Sequence, residues 1–249
     1  MIKRIESTQN ALIKHWKKIA TTRKEREKTQ TFIIEGFHLV EEALKNKAQI
    51  VQLIVREGVD LPLLWDIDDI AMVEVTAAVA KEFAETESSQ GVFAVCKQIE
   101  TVAQKFNRVL LIDAVQDPGN IGTMIRTADA AGMDAVVLGT GCADAYNPKT
   151  LRSAQGSHFH IPILREDLIS YVDTLEIPIY GTALEQAVDL NEIQAQEKFA
   201  LIVGNEGSGI NPQLLSKTNQ NIMIPMRGGA ESLNVAVATG ILLYTLVKA

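Results

Sequence analysis

The chain has 249 residues, 47% hydrophobic and 22% charged, ordinary globular proportions that exclude a disordered or fibrous protein. This length allows two modest domains, each with a core of its own. The net charge of −7 argues against an indiscriminate nucleic-acid binder, although the charge is unevenly placed. No apolar run of about 18 residues is long enough to span a bilayer. MIKRIESTQN lacks the apolar stretch of a signal peptide, so a cytoplasmic protein is expected. Cys96 and Cys142 form no CxxC pair and His and Cys do not cluster, so neither a disulfide framework nor a metal site is expected.

Residues 1–30 carry nine lysines and arginines against three glutamates, a balance of +6 that leaves −13 for the remainder. Such an arm suits phosphate contact, and equally suits a solvated helical face. The pattern then predicts a helix over Asn10–Ile19, a strand over Thr31–Glu35, a helix over Phe37–Lys45 and a strand over Ile50–Val55. A strand over Ala71–Val75, a helix over Ala77–Phe83 and a strand over Val92–Cys96 complete a first domain of residues 1–98. Polar residues 99–107 read as a linker, and 108–249 as a second domain. It opens with an apolar strand, Val109–Ala114, followed by the helical spacing of NIGTMIRTADAAG, which stops at Gly132. Further strands are expected over Ala135–Leu138, Phe159–Leu164, Ile179–Thr182, Ala200–Val203 and Ile222–Pro225, and a helix over Ser232–Val247. This alternation is that of an α/β fold with a parallel sheet.

Glycine loops are the natural place to look for a ligand. VVLGTGCADAY lacks the third glycine of a dinucleotide fingerprint, and no Walker lysine follows any glycine loop. GNEGSG, Gly204–Gly209, directly follows the apolar strand ALIV, at the strand edge where open α/β sheets bind ligands. DAVQDPGNIGTMIRTADAAG places Pro118-Gly119 at a turn, Asn120 as a fitting helix N-cap and Arg126 nearly two turns later. IPMRGGAESLNVAVATGILLYTL sets a glycine pair before Ser232 and Asn234 at another helix start. Each feature alone also reads as ordinary turn or cap chemistry, and Arg126 as a surface arginine paired with Asp129. His158 and His160 alternate in an expected strand and read as structural.

Taken together and in this order, these three motifs, with Thr182–Leu184 between them, resemble the signature motifs of the SpoU/TrmH family of the SPOUT methyltransferase superfamily. FIIEGFHLVEEAL and SSQGVFAV resemble that family's small substrate-binding domain. The resemblance implies a C-terminal parallel-sheet α/β domain with a deep trefoil knot, an exception to the rarity of knots. It implies S-adenosylmethionine as cofactor, methyl transfer to a ribose 2′-OH of rRNA or tRNA, and a homodimer through the knotted domain. Cofactor contacts are expected from Thr182, Ala183, Leu184, Gly204, Asn205, Glu206, Gly207, Gly209, Ile224, Met226, Ser232 and Leu233. Catalytic roles are implied for Asn120, Arg126, Glu206, Ser232 and Asn234, with Asn120 fixing the Arg126 guanidinium. A guanidinium resists deprotonation, so Arg126 as charge stabiliser stands beside Arg126 as base. With RNA as substrate, Arg23, Lys24, Arg26 and Lys28, together with Arg126, become expected phosphate contacts.

Two rival readings differ in class. A catalytically inactive RNA-binding protein of the same fold is opposed by intact Asn120, Arg126, Glu206 and Asn234. A nucleotide- or NAD-dependent enzyme is opposed by the missing glycine fingerprint and Walker lysine.

Overall fold

The computed structural model describes residues 3–99, 104–183 and 186–247. Its contacts separate the chain into two compact units, 1–100 with 144–159, and 101–143 with 160–249. The expected second domain, 108–249, therefore yields Asp144–Phe159 to the first unit.

In chain order the first unit comprises β1 (Lys3–Ile5), α1 (Ala11–Thr21), α2 (Arg23–Thr29), β2 (Thr31–Glu35), α3 (Phe37–Lys45), β3 (Ile50–Arg56), β4 (Met72–Val75), α4 (Ala77–Lys81) and β5 (Val92–Lys97). Its mixed sheet has the order β1-β4-β3-β5-β2, with β5 antiparallel to both neighbours. Period-two alternation divides the apolar side chains between two faces. Ile33, Phe93 and Val95 pack with Trp16 and Ile19 of α1, whereas Phe32, Ile34, Val92 and Ala94 pack with Leu39, Val40 and Ala43 of α3. Both faces are thus covered.

The second unit has β6 (Arg108–Ile112), α5 (Pro118–Ala130) and β7 (Ala135–Leu138). Helix α6 (Pro148–Ala154) belongs to the first unit, placing Leu151 in its core. The second unit continues with β8 (Ile163–Arg165), α7 (Leu168–Tyr171), β9 (Ile179–Thr182), β10 (Val188–Asp189), β11 (Phe199–Val203), α8 (Pro212–Leu215), β12 (Gln220–Met223) and α9 (Val235–Leu246). Its sheet, ordered β10-β12-β9-β11-β6-β7-β8, is parallel throughout. Every residue of β7 and β11 is buried, the continuous apolar run of a strand covered on both faces. Parallel pairing has a direct consequence for the site. The carboxyl ends of the adjacent strands β12, β9, β11 and β6 all open on one edge, and every motif loop leaves from that edge.

Candidate active site

Turn chemistry builds each loop. After β6, Asp117 caps α5 by accepting the Asn120 amide at 2.9 Å, and Pro118 occupies the first turn, where its missing N–H costs nothing. Asn120 was expected to be that cap; it lies instead inside the first turn. After β11, Asn205 folds the glycine loop around its own side chain. Its Oδ1 accepts the amides of Gly207 at 2.8 Å and Ser208 at 3.2 Å, and its Nδ2 donates to the Ala114 carbonyl at 3.0 Å, joining this loop to the one after β6. Reciprocal backbone bonds of 3.1 and 2.9 Å between Asn205 and Gly209 close the loop. A Cβ at Gly204 would stand 2.4 Å from the Gly209 carbonyl group, so the closure requires glycine there. After β12, Asn234 caps α9 by accepting the amides of Ala236 and Val237. Ser232 does not share this cap: it is exposed and makes no hydrogen bond among the described residues.

The loops after β9, β11 and β12, together with α9, surround a cavity of about 760 Å³, within the roughly 300–1,000 Å³ of small-molecule sites; the loop after β6 does not line it. Thr182 at the end of β9 and Ala183 after it border the cavity, as do Gly204, Asn205, Glu206, Gly207 and Gly209 beyond β11. Ile224, Met226, Ser232 and Leu233 supply the wall beyond β12; Leu184 lies outside the described residues. Val235, Ala238 and Leu242 of α9 add an apolar surface that sequence reading did not assign to the site. Their three- and four-residue spacing is the ordinary signature of a core-facing stripe, which does not distinguish a core from a cavity wall. The lining fits S-adenosylmethionine. Apolar Ile222, Ile224, Met226, Leu233 and Leu242 suit an adenine ring, close glycine backbone offers edge hydrogen bonds, and the carboxylates of Glu206 and Glu231 suit a sulfonium cation.

One polar chain ties the three motifs together beside this cavity. Asn234 Nδ2 donates to Asn120 Oδ1 at 3.0 Å, and Asn120 Nδ2 donates to the Glu206 carboxylate. The expected hold of Asn120 on Arg126 is not made. Six residues place the two side chains about 120° apart around the helix, and the Asn120 amide is committed to Glu206 and Asn234. Arg126 is exposed and has no hydrogen bond or ion pair among the described residues. The expected Arg126–Asp129 pair is also absent, because Asp129 accepts His160 Nδ1 at 2.9 Å. His160 and His158 do not alternate along a strand: His158 lies in a 3₁₀ turn, buried within the first unit. No group of three or more His, Cys, Asp or Glu side chains is placed to hold a metal among the described residues.

The four α2 cations expected on RNA divide sharply. Lys24 and Lys28 are exposed on α2 with no partner among the described residues, and Arg23 forms an i,i+4 pair with Glu27. Arg26 points inward, only 2% exposed. It pairs with Asp144 at 2.7 Å and donates to the carbonyls of Ile19 and Ala20. A guanidinium so enclosed cannot meet phosphate, which corrects the expectation for Arg26.

Residues 107–244 match the SpoU rRNA Methylase family, and residues 10–94 match the MRM3-like substrate binding domain. The chain is 53% identical to 23S rRNA (guanosine(2553)-2'-O)-methyltransferase RlmP of Bacillus subtilis (strain 168), covering 98% of this chain and 99% of that relative. An AdoMet-bound rRNA methyltransferase from Sinorhizobium meliloti is similar in structure, with TM-score 0.88, 29% identity, and coverage of 98% of this chain and 97% of that one. The SpoU methyltransferase AviRb from Streptomyces viridochromogenes, in complex with AdoMet, has TM-score 0.84 and 25% identity, with 96% and 97% covered.

Proposed function

This chain belongs to the SpoU rRNA methylase family and is an S-adenosylmethionine-dependent RNA ribose 2′-O-methyltransferase, and on that premise we propose that it methylates a ribose of large-subunit (23S) ribosomal RNA. The observation that carries the site assignment is a cavity lined by the second and third motif loops, to which Asn120 of the first motif is joined by hydrogen bonds with Glu206 and Asn234. Identity of 53% to an enzyme named for 23S rRNA supports the substrate. On this reading the cofactor is held by the expected residues that line the cavity, Thr182, Ala183, the glycine loop, Ile224, Met226, Ser232 and Leu233, with α9 closing the apolar side. When bound, S-adenosylmethionine supplies an electrophilic methyl.

The chain's own residues then have separable tasks. The glycine loop, held by Asn205, positions backbone donors. Asn120, fixed between Glu206 and Asn234, orients the polar side of the site. Arg126, without a partner among the described residues, receives the ribose and its phosphate and stabilises negative charge developing on the 2′-oxygen, a task suited to a group that holds its proton. Residues 1–98 bind RNA, with Lys24 and Lys28 rather than Arg26 on phosphate, and residues 99–107 link them to the catalytic domain. The reading includes the family's trefoil knot, cytoplasmic location and a homodimer through the catalytic domain. The dimer is supported by Val237, Ile241 and Tyr244, exposed at i, i+4 and i+7 on α9.

The decisive test is transfer of labelled methyl to 23S rRNA from cells lacking the gene, followed by mass-spectrometric mapping. Wild type should modify one ribose. Arg126→Ala should bind S-adenosylmethionine with unchanged affinity and lose at least about 100-fold in transfer, the scale of a lost charge-stabilising donor. Undiminished transfer by the variant would remove Arg126 from the chemistry, and an unmodified 23S rRNA would overturn the substrate.

A further inference from the structure

A second cavity, of about 480 Å³, opens on the same edge of the parallel sheet. Chain order runs outward from β6 through β7 to β8, then resumes on the other side of β6, where β9, β10, β11 and β12 lie. Open α/β sheets bind ligands beyond the strand ends where the order reverses in this way. The cavity lies at that point. Asp113 follows β6, Thr140 lies beyond β7, Asp167 beyond β8, and Ser208, Asn211 and Leu214 beyond β11. Ser208, Gly209 and Ile210 line both this cavity and the one assigned to S-adenosylmethionine, so a single loop separates the two.

The chemistry of the lining narrows the ligand. Leu168, Ile169, Ile210 and Leu214 give an apolar wall suited to a flat ring. The charged groups are Asp113 and Asp167, and no lysine, arginine or histidine lines the cavity among the described residues, so phosphate is repelled. Asp113 Oδ2 accepts the Asn211 amide at 2.7 Å; Asp167 accepts the Ile169 amide at 3.3 Å and the Ser170 hydroxyl at 2.9 Å. A carboxylate has about four acceptor sites, so each keeps capacity for a ligand, and neither can donate. The complement is a neutral ring with adjacent N–H donors. Among the RNA bases only guanine sets two, N1–H and N2–H, side by side on its Watson–Crick edge, one of the edges by which unstacked bases are read.

We propose that this crevice receives the base of the methylated nucleotide, turned out of the RNA stack, and that the carboxylates of Asp113 and Asp167 select guanine there. The sheet then holds cofactor and base on the two sides of the glycine loop. This rests on the reading of the substrate as 23S rRNA.

The test uses the full protein and protein-free 23S rRNA transcripts that carry guanosine or adenosine at the mapped ribose. Wild type should prefer guanosine by at least about tenfold in kcat/KM, within the range of a bidentate base contact. Asp113→Asn/Asp167→Asn keeps an oxygen for the Asn211 and Ile169 amides; it should lose most of that preference and bind S-adenosylmethionine with unchanged affinity in calorimetry. Thr140→Trp, which fills the crevice, should raise KM for the guanosine transcript about tenfold and likewise spare the cofactor. If the double variant loses cofactor binding, Thr140→Trp decides alone. An undiminished preference in the double variant, an equal loss on both transcripts, or wild-type kinetics in Thr140→Trp would overturn the proposal. So would equal transfer to both transcripts by wild type, or a methylated ribose that carries a base other than guanine. Wild type that methylates no ribose of 23S rRNA would instead overturn the substrate reading, and this assignment of the crevice with it.

Discussion

Arg26 and His158 show how far a side chain's role can depart from its type. Arg26 belongs by sequence to a basic arm, yet it is enclosed with Asp144, 118 residues away, and its remaining donors are spent on two carbonyls. Removing one partner of such a buried pair costs about 3–5 kcal/mol, because the other charge is left without compensation. His158, in the same unit, donates to the Ala145 carbonyl through Nε2 at 2.7 Å and leaves Nδ1 without a partner. Burial holds its pKa down to about 4. The unfolded chain takes up this proton as pH falls through about 6.5, whereas the folded chain resists it until about 4. His158 therefore contributes stability that is intact above about pH 6.5 and is lost progressively as pH falls toward 4. The unfolding midpoint should drop across that window, and less steeply in His158→Gln, which keeps an N–H for Ala145. Parallel slopes for the two proteins would assign the acid sensitivity to other groups.

At the scale of elements, legibility followed the kind of signal available. Thr31–Glu35, Phe37–Lys45, Ala135–Leu138 and Ile179–Thr182 were readable to the residue, because apolar periodicity and flanking turn residues coincide there. Helix α2, RKEREKT, was invisible to that reasoning: its one buried residue is an arginine, so no apolar stripe marks it. Strand β8 begins at Ile163 rather than Phe159, since Phe159 ends a 3₁₀ turn and its ring stacks on Phe32 of the first unit. Helix α9 is apolar nearly all round, which sequence alone cannot divide into core, cavity wall and outer face. Its exposed stripe leads to an expectation. On the proposed homodimer, wild type should sediment as a dimer and Ile241→Asp as a monomer, with thermal unfolding nearly unchanged because Ile241 is already 39% exposed. A monomeric wild type would overturn the proposed dimer, and a variant that sediments as a dimeric wild type does would remove this stripe from the contact.

At the scale of the whole molecule, charge in residues 1–30 was legible as a sum but not as a surface. Lys24→Ala/Lys28→Ala should lower the salt dependence of RNA binding by about 0.7–0.9 in log–log slope per lysine and leave folding intact. Arg26→Ala should destabilise the first unit instead; a variant as stable as wild type, with the RNA slope reduced, would return Arg26 to the phosphate-binding set. By itself the sequence determined the α/β class, the order of most strands and helices, and the three motif loops, because periodicity, glycine turns and caps are local properties. Only the tertiary structure decided that α6 joins the first unit, that Asn120 holds Glu206 and Asn234 rather than Arg126, and that Arg26 turns inward. Those outcomes depend on partners 86 to 118 residues distant, brought together by parallel sheet pairing and by the burial of charge, which no local pattern encodes.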